Sequence, residues 1–267
     1  MDATTRRLVA EELLTAYRTG VPVEPPTEKF PDMTVQDAYA VQLLQVERWR
    51  ADGARVKGHK VGLSSAAMQR QLGVDQPDYG HLMDSMFLLE GTPIPAGRFL
   101  QPKVEPEVAF VLRAPLAGPG VTVAEAAAAV DFVLPALEII DSRVRDWRIA
   151  LPDTIADNAS SGGVVLGGRP VRLEELDLRL VGCVLQRNGE VAATGAGGAV
   201  LGSPLNALVW LANTVGPLGV VLEAGHVVLP GSVTPAIEVR PGQTVTASFG
   251  CGLGKVTAVF ADAEGER

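Results

Sequence analysis

Apolar residues in the first fifty positions recur at helical spacing. Leu8, Val9, Leu13, Ala16 and Tyr17 share one side of a predicted first helix. Pro22, Pro25, Pro26 and Pro31 then break the chain. Thr34-Val-Gln-Asp37 has the form of a capping box and opens a second helix. Tyr39, Ala40, Leu43, Leu44 and Val46 line its face, and Gly53 fits its end. After Gly58 the period changes. Short β-like runs at 59–63, 103–112, 132–140, 163–166, 180–187, 236–239, 244–249 and 255–260 alternate with Gly and Pro turns. Two further helices fit between them. Thr122-Val-Ala-Glu125 opens one; the other covers 204–213, with Leu205, Leu208, Val209 and Ala212 on one side. No repeat of solenoid period is present. The tail after Phe260 is polar and is expected to fray. The pattern predicts an α+β protein, with a helical amino-terminal cap over 1–57 and a β-rich body over 58–267 forming one integrated domain.

Two of the predicted strands carry an anomaly. Side chains two apart on a strand share a face. Glu105 and Glu107 therefore project with Ala109 and Val111, and Glu138 projects with Phe132, Leu134, Ala136 and Ile140. These are carboxylates on faces that otherwise read as buried. A buried unpaired carboxylate costs many kcal/mol or gives up its charge. A solvated edge strand is the plainer explanation, and Pro106 is compatible with an edge. Two such anomalies with matching apolar companions point instead to a divalent metal on oxygen ligands, Mg²⁺ or Mn²⁺ rather than zinc.

Composition narrows the field. The chain has 267 residues, 47% of them hydrophobic and 20% charged, enough to bury a full core without staples. A net charge of −8 with no basic run argues against nucleic-acid partners and against an anionic membrane surface. No window reaches the length of apolar residues that spans a membrane, and the first residues lack the apolar core of a signal peptide. Cys183 and Cys251 stand alone in apolar contexts and are expected to be buried free thiols in a reducing compartment. A cytosolic location follows as an expectation.

Other motifs each carry two readings. Lys60 lies in the glycine-bounded run Gly58-His-Lys-Val-Gly-Leu63, either as a snorkelling surface lysine or as a cation for a substrate carboxylate or enolate. The run Gln69–Gly80 reads as a loop, with Asp78 either a turn residue or a general acid/base. The run Asp153–Gly162 reads as a capped loop or as a hydroxyl and amide lining, with Ser160 and Ser161 as donors. Gly195–Gly198 and Gly250–Lys255 fail the phosphate-loop spacings and are assigned to turns. His59, His81 and His226 show no triad or metal spacing and read as structural.

Together these runs resemble the 2-hydroxypenta-2,4-dienoate (2-keto-4-pentenoate) hydratase and 4-oxalocrotonate decarboxylase family of the fumarylacetoacetase-like superfamily. The matching segments begin at Gly58, Gln71, Val104, Leu134, Asp153 and Gly202 and follow the family order through nearly the whole chain. The resemblance implies a mixed β-sandwich or roll body of the fumarylacetoacetase C-terminal type. It implies a divalent metal, Mg²⁺ or Mn²⁺, on Glu105, Glu107 and Glu138, and catalytic roles for Lys60 and Asp78. It places Leu72, Gly73, Ser160 and Ser161 at the substrate. It also implies a homo-oligomer, a pentamer or decamer, and a pathway aldolase or decarboxylase as partner. The implied reaction is hydration of 2-hydroxypenta-2,4-dienoate or an alkyl homologue to a 4-hydroxy-2-oxoalkanoate, in meta-cleavage catabolism of aromatics or steroids. The alternatives are decarboxylation of 2-oxo-3-hexenedioate and acylpyruvate-type carbon–carbon hydrolysis. The latter usually wants a Glu–His pair, for which no histidine stands out.

Overall fold

The structure is a computed structural model and describes residues 1–263, apart from the side chains of Met68, Gln71 and Leu72. Its helices are α1 (Ala3–Thr19), α2 (Pro26–Lys29), α3 (Val35–Ala51), α4 (Ala66–Leu72), α5 (Val123–Ala129), α6 (Leu151–Ala156) and α7 (Pro204–Val215). Its strands are β1 (Val56–Gly62), β2 (Asp78–Met83), β3 (Phe87–Leu88), β4 (Lys103–Leu112), β5 (Val130–Ile140) and β6 (Ser161–Leu166). They continue with β7 (Gly182–Arg187), β8 (Glu190–Ala196), β9 (Val227–Leu229), β10 (Ile237–Glu238), β11 (Thr244–Phe249) and β12 (Gly254–Val259). A mixed sheet runs β2-β1-β9-β4-β5-β6-β3, with β10 added to β4. A smaller antiparallel sheet runs β12-β11-β7-β8. Among the described residues no helix is long and apolar enough to cross a membrane.

The expected capping boxes form. Thr34 and Asp37 close one at the start of α3, and Thr122 and Glu125 close one at the start of α5. On α1, Val9, Leu13 and Ala16 are buried as expected, while Leu8 is exposed. The inward face of α3 differs from the expected one. Gln42 and Gln45 are fully buried there, and Leu43 and Leu44 are only half-buried. The reason is hydrogen bonding: Gln42 Nε2 donates to the carbonyls of Tyr79 and Ile155, and Gln45 Nε2 donates to that of Ala156. Two amides thus stitch α3 to β2 and α6 by satisfying carbonyls that burial would otherwise orphan.

The run 69–80 is not one loop. Its first part is the end of α4, and Asp78 opens the fully buried strand β2, antiparallel to β1 with Gly62 opposite Asp78 and Gly80 opposite Lys60. The run 153–162 is likewise mostly structured: α6, a tight turn over 158–160, then β6. Asn158, Ala159 and Ser160 all have φ between 51° and 53°, three successive residues in the left-handed region. Each costs about 1–3 kcal/mol outside a setting that enforces it. The setting is Asn158 itself. Its Nδ2 donates to His81 O at 2.9 Å and its Oδ1 accepts from His81 N at 2.8 Å, clipping the turn to β2. Buried Arg143 adds a second brace. Its guanidinium donates to Asp157 Oδ1 at 2.6 Å and to Ser161 O at 3.0 Å, and it lies 4.1 Å above the Tyr17 ring. Replacing Asn158 by Ala is expected to lower stability by about 2–4 kcal/mol, because both His81 backbone groups lose their partner in a dry site. Urea unfolding of the two proteins measures this.

The strands β2, β3, β8 and β9 were not foreseen. For β8 the signal was Asn188-Gly189, both with positive φ, which turns β7 back into β8 as a two-residue hairpin. The polar, exposed sequence of β8 hid it. Cys183 is buried as expected, but Cys251 is exposed on the turn joining β11 and β12, where its glycine neighbours make the bend. The expected fraying does not begin directly after Phe260: Phe260 N donates to Gln243 O and Ala261 N to Ile94 O. Residues 264–267 of that tail lie outside the described residues.

Candidate active site

β4 and β5 pair antiparallel in a register that sets Glu105 directly opposite Glu138, and Glu107 opposite Ala136. Glu107 is therefore a diagonal neighbour of Glu138 on the same face. The other faces of these strands, with Val104, Val108, Phe110, Val133, Leu137 and Ile139, fill the main core. That burial fixes which face carries the acids, since a one-residue slip would push all three into the core. β4 is not an edge strand. β5 flanks it on one side, and β9 and β10 on the other. Pro106 fits because the second flank has a gap between β10, at Lys103 and Val104, and β9, at Phe110 and Val111. There Val233 N donates to Pro106 O, and no strand needs the missing N–H.

Glu107 and Glu138 are buried, and Glu105 is half-exposed on a cavity wall. One carboxylate oxygen from each can be chosen so that all lie within 4.8 Å of one another. Glu107 Oε2 accepts from Gly231 N at 2.7 Å, whereas Glu107 Oε1 and both oxygens of Glu138 have no hydrogen-bond partner. Buried acceptors left without donors call for a cation. The set of three oxygen ligands suits a hard divalent ion with coordination positions to spare. Lys60, also buried, brings Nζ to 3.4 Å from Glu138 Oε1.

Electrostatics agree with this fit. Burial, and then repulsion by Glu138, push the Glu105 carboxyl up to about 7. Burial and the charges of Glu138 and Glu105 hold Glu107 well above the usual range, and burial raises Glu138. Burial pulls the Lys60 ammonium down, but Glu138, Asp78, Glu105 and Glu107 outweigh it and hold it above its ordinary value. A single ammonium cannot neutralise four carboxylates. Without a cation, protons must occupy the site.

Glu105 is raised from 4.5 to about 7 in the folded, metal-free protein, so its protonated form contributes stability that is lost as pH rises through 7. A cation must displace those protons. Mn²⁺ affinity is therefore expected to rise at least about tenfold per pH unit below 7, for the one Glu105 proton displaced, and more steeply where Glu107 also gives up a proton. Titration calorimetry between pH 5.5 and 8.5 tests this; a flat affinity would contradict it.

Above the acids lies a cavity of about 240 Å³, lined by Lys60, Asp78, Glu105, Thr154 and Ser160 among others. It is smaller than the usual volume for drug-sized ligands and suits a small metabolite. Asp78 is buried, which raises its carboxyl, while Lys60 pulls the other way. Gly62 makes room for it: an added Cβ there would lie 2.1 Å from Asp78 Oδ1. Thr154 Oγ1 is 3.3 Å from Ser160 Oγ, and Thr154 also hydrogen-bonds Asp78. Thr154 was not singled out from sequence, although its place between Asp153 and Asp157 on a buried turn of helix could have marked it.

Of the other expected substrate residues, Ser160 lines the cavity. Ser161 and Gly73 do not, and the Leu72 side chain lies outside the described residues. The Ser161 hydroxyl is spent on Asn158 O at 2.8 Å, because the alternation of β6 turns it from the cavity. Gly73 is exposed and ends α4 with φ 67°. His59, His81 and His226 pack together elsewhere, with ring centroids 5.0 and 5.6 Å apart, and none lines this cavity.

The carboxylate cluster thus lies beside a buried lysine and aspartate in a mixed β body. The chain belongs to the fumarylacetoacetate (FAA) hydrolase C-terminal family, whose pattern matches residues 52–261. Among its relatives is a 2-keto-4-pentenoate hydratase of Paraburkholderia xenovorans (strain LB400), 46% identical over 97% of this chain and 96% of that protein. A 2-oxo-hept-4-ene-1,7-dioate hydratase of Escherichia coli is 42% identical over 97% of this chain and 99% of its own. Among solved structures, 4-oxalocrotonate decarboxylase from Pseudomonas putida G7, complexed with magnesium and adipate, superposes with a TM-score of 0.94. It is 39% identical, over 97% of this chain and 98% of that one.

Proposed function

We propose that this protein is a metal-dependent hydro-lyase adding water to 2-hydroxypenta-2,4-dienoate, or an alkyl homologue, to give a 4-hydroxy-2-oxoalkanoate. The observation that carries the reading is that Lys60, Asp78 and Glu105 line one small cavity while Glu107 and Glu138 cluster with Glu105 and Lys60 reaches Glu138. Its full-length similarity to a hydratase of this substrate supports the same reading. A Mg²⁺ or Mn²⁺ ion held by Glu105, Glu107 and Glu138 supplies Lewis-acid polarisation of a 2-oxo acid. Lys60 offsets the negative charge of the substrate carboxylate and of the enolate oxygen. Asp78 moves protons: one leaves the C2 hydroxyl, and one arrives at C5 to give the conjugated 2-oxo-3-enoate. Water then adds at C4, with a proton delivered to C3. Ser160, at the cavity wall with Thr154, orients the carboxylate or the water. Burial raises the Asp78 carboxyl from its ordinary range, the direction an acid/base role near neutral pH requires.

The same reading places the protein in the cytosol as a homo-oligomer, a pentamer or decamer, supplying a pathway aldolase in meta-cleavage catabolism of aromatics or steroids. Decarboxylation of 2-oxo-3-hexenedioate is the second reading, favoured by the close superposition on a decarboxylase. Acylpyruvate hydrolysis lacks a histidine at the cavity. The test follows the absorbance of freshly generated dienol with Mg²⁺ or Mn²⁺, then with chelator. Metal-dependent loss of the dienol supports hydration. Release of carbon dioxide from 2-oxo-3-hexenedioate, with the dienol untouched, would replace it with the second reading.

A further inference from the structure

The antiparallel pair β1–β2 has two faces. Lys60 opposite Gly80 and Gly62 opposite Asp78 lie on the one that meets the acids. His59 and His81 stand opposite each other on the reverse. His226, just ahead of β9, joins them, so three imidazoles lie in a row with His59 in the middle. A cavity of about 690 Å³ opens over the row and is lined by all three rings. The strands beneath have no slack. An added Cβ at Gly58 would lie 2.0 Å from Val227 O, and one at Gly80 would lie 2.4 Å from Asn158 O.

The hydrogen bonds of this row fit neutral rings. Gln42 Nε2 is committed to two carbonyls, which leaves Gln42 Oε1 to accept from His81 Nδ1 at 3.1 Å. His81 Nε2 is then the basic nitrogen of a neutral ring. His226 Nδ1 accepts from Glu223 N at 3.1 Å, and a proton placed on it would set two N–H groups against each other. His59 is buried, and among the described residues neither of its nitrogens has a partner. A second proton on His59 would bury a charge with two idle donors between two other bases. The charged groups nearby do not offset it. Glu47 and Arg50 of α3, Arg55, Lys57 of β1 and Glu223 are all exposed, two acids against three bases. Burial, and then the two neighbouring rings, hold His59 well below its ordinary value. Burial, and then His226, draw His81 down to about 4. Burial lowers His226 as well, with Glu223 pulling the other way.

We propose that His59, His81 and His226 form an acid-sensing latch behind the catalytic pair: proton uptake by the row opens β1 from β2 and parts Lys60 from Asp78. The sign follows from linkage. An open or unfolded histidine takes up its proton near 6.5, whereas the closed row excludes it. The stability that the row contributes is therefore complete above that value and is lost as pH falls below it. The Gly58 and Gly80 contacts leave the strands no way to make room except by separating. The latch stands on the geometry of β1 and β2 and holds whichever reaction the cavity performs.

The test measures hydrogen-exchange protection of the β1 and β2 backbone amides in wild type and His59→Phe, both loaded with Mg²⁺, from pH 7 to 5. Protection factors report the opening of these strands, whether local or global. Between pH 6 and 5, protection in wild type is expected to fall more steeply than in His59→Phe, by about a further tenfold per pH unit, for the one proton His59 takes up on opening. The carboxylates act alike in both proteins and drop out of the comparison. An equal pH dependence in the two proteins overturns the proposal. A second measurement needs no variant. In wild type with ring-labelled histidine, the NMR signal of His59 is expected to hold its neutral position down to pH 5.5 for as long as the protein stays folded. A His59 signal that titrates near 6.5 in the folded protein overturns the proposal, and does so even where His59→Phe fails to fold.

Discussion

Glu107→Gln is expected to reduce kcat by at least about 10³-fold while leaving the protein folded. The substitution keeps the shape of the side chain, and its amide oxygen can still accept from Gly231 N. What it removes is one carboxylate from a cluster of three. Lewis-acid polarisation is worth several kcal/mol, and each 1.36 kcal/mol is a factor of ten in rate. Gln needs no proton to sit in that buried acidic cluster, so the metal-free variant is expected to unfold at or above the wild-type temperature. Added Mn²⁺ then raises the Tm of the wild type but not of the variant. Full activity in Glu107→Gln, insensitive to metal, would contradict the assignment of the three acids.

The second large effect is at Asp78. Asp78→Asn preserves volume and the place beside Gly62, but an amide cannot exchange a proton. General acid–base catalysis contributes typically 10²–10⁴-fold, and kcat is expected to fall by about that much. Mn²⁺ binding should persist, because Asp78 is not among the three clustered carboxylates. Rate and binding therefore separate at Asp78 and fall together at Glu107. A kcat near the wild-type value in Asp78→Asn would move the proton-transfer role elsewhere, with the Thr154–Ser160 hydroxyl pair the next place to look.

The three clustered carboxylates could be read from the chain because burial makes a carboxylate conspicuous. Glu105, Glu107 and Glu138 broke otherwise apolar strand faces, and the cross-strand register then brought them together. Lys60 stood out for a similar reason, as a cation in a glycine-bounded strand. Asp78 stands out, but Pro77 and Gly80 read as turn residues, whereas β2 is fully buried, with β1 on one edge and the Asn158 clip on the other. Asn158 and Thr154 carried no comparable mark. Their importance comes from contacts between segments distant in sequence, such as Asn158 with His81. The inward face of α3 was misjudged on the same ground. Hydrophobic periodicity ranks leucine above glutamine, and only the tertiary structure reveals which carbonyls the glutamines satisfy. The helical cap and the α+β character were legible from local patterning. The mixed sheet order and the short strands β3 and β9 depend on pairings that no local window contains.

The most direct test of the central claim is turnover of 2-hydroxypenta-2,4-dienoate in ¹⁸O-labelled water with Mg²⁺, followed by mass spectrometry of the product. The expected product is 4-hydroxy-2-oxopentanoate with the label in its C4 hydroxyl, formed only when the cation is present. Loss of the dienol to an unhydrated 2-oxo-3-enoate, with no label at C4, would contradict it.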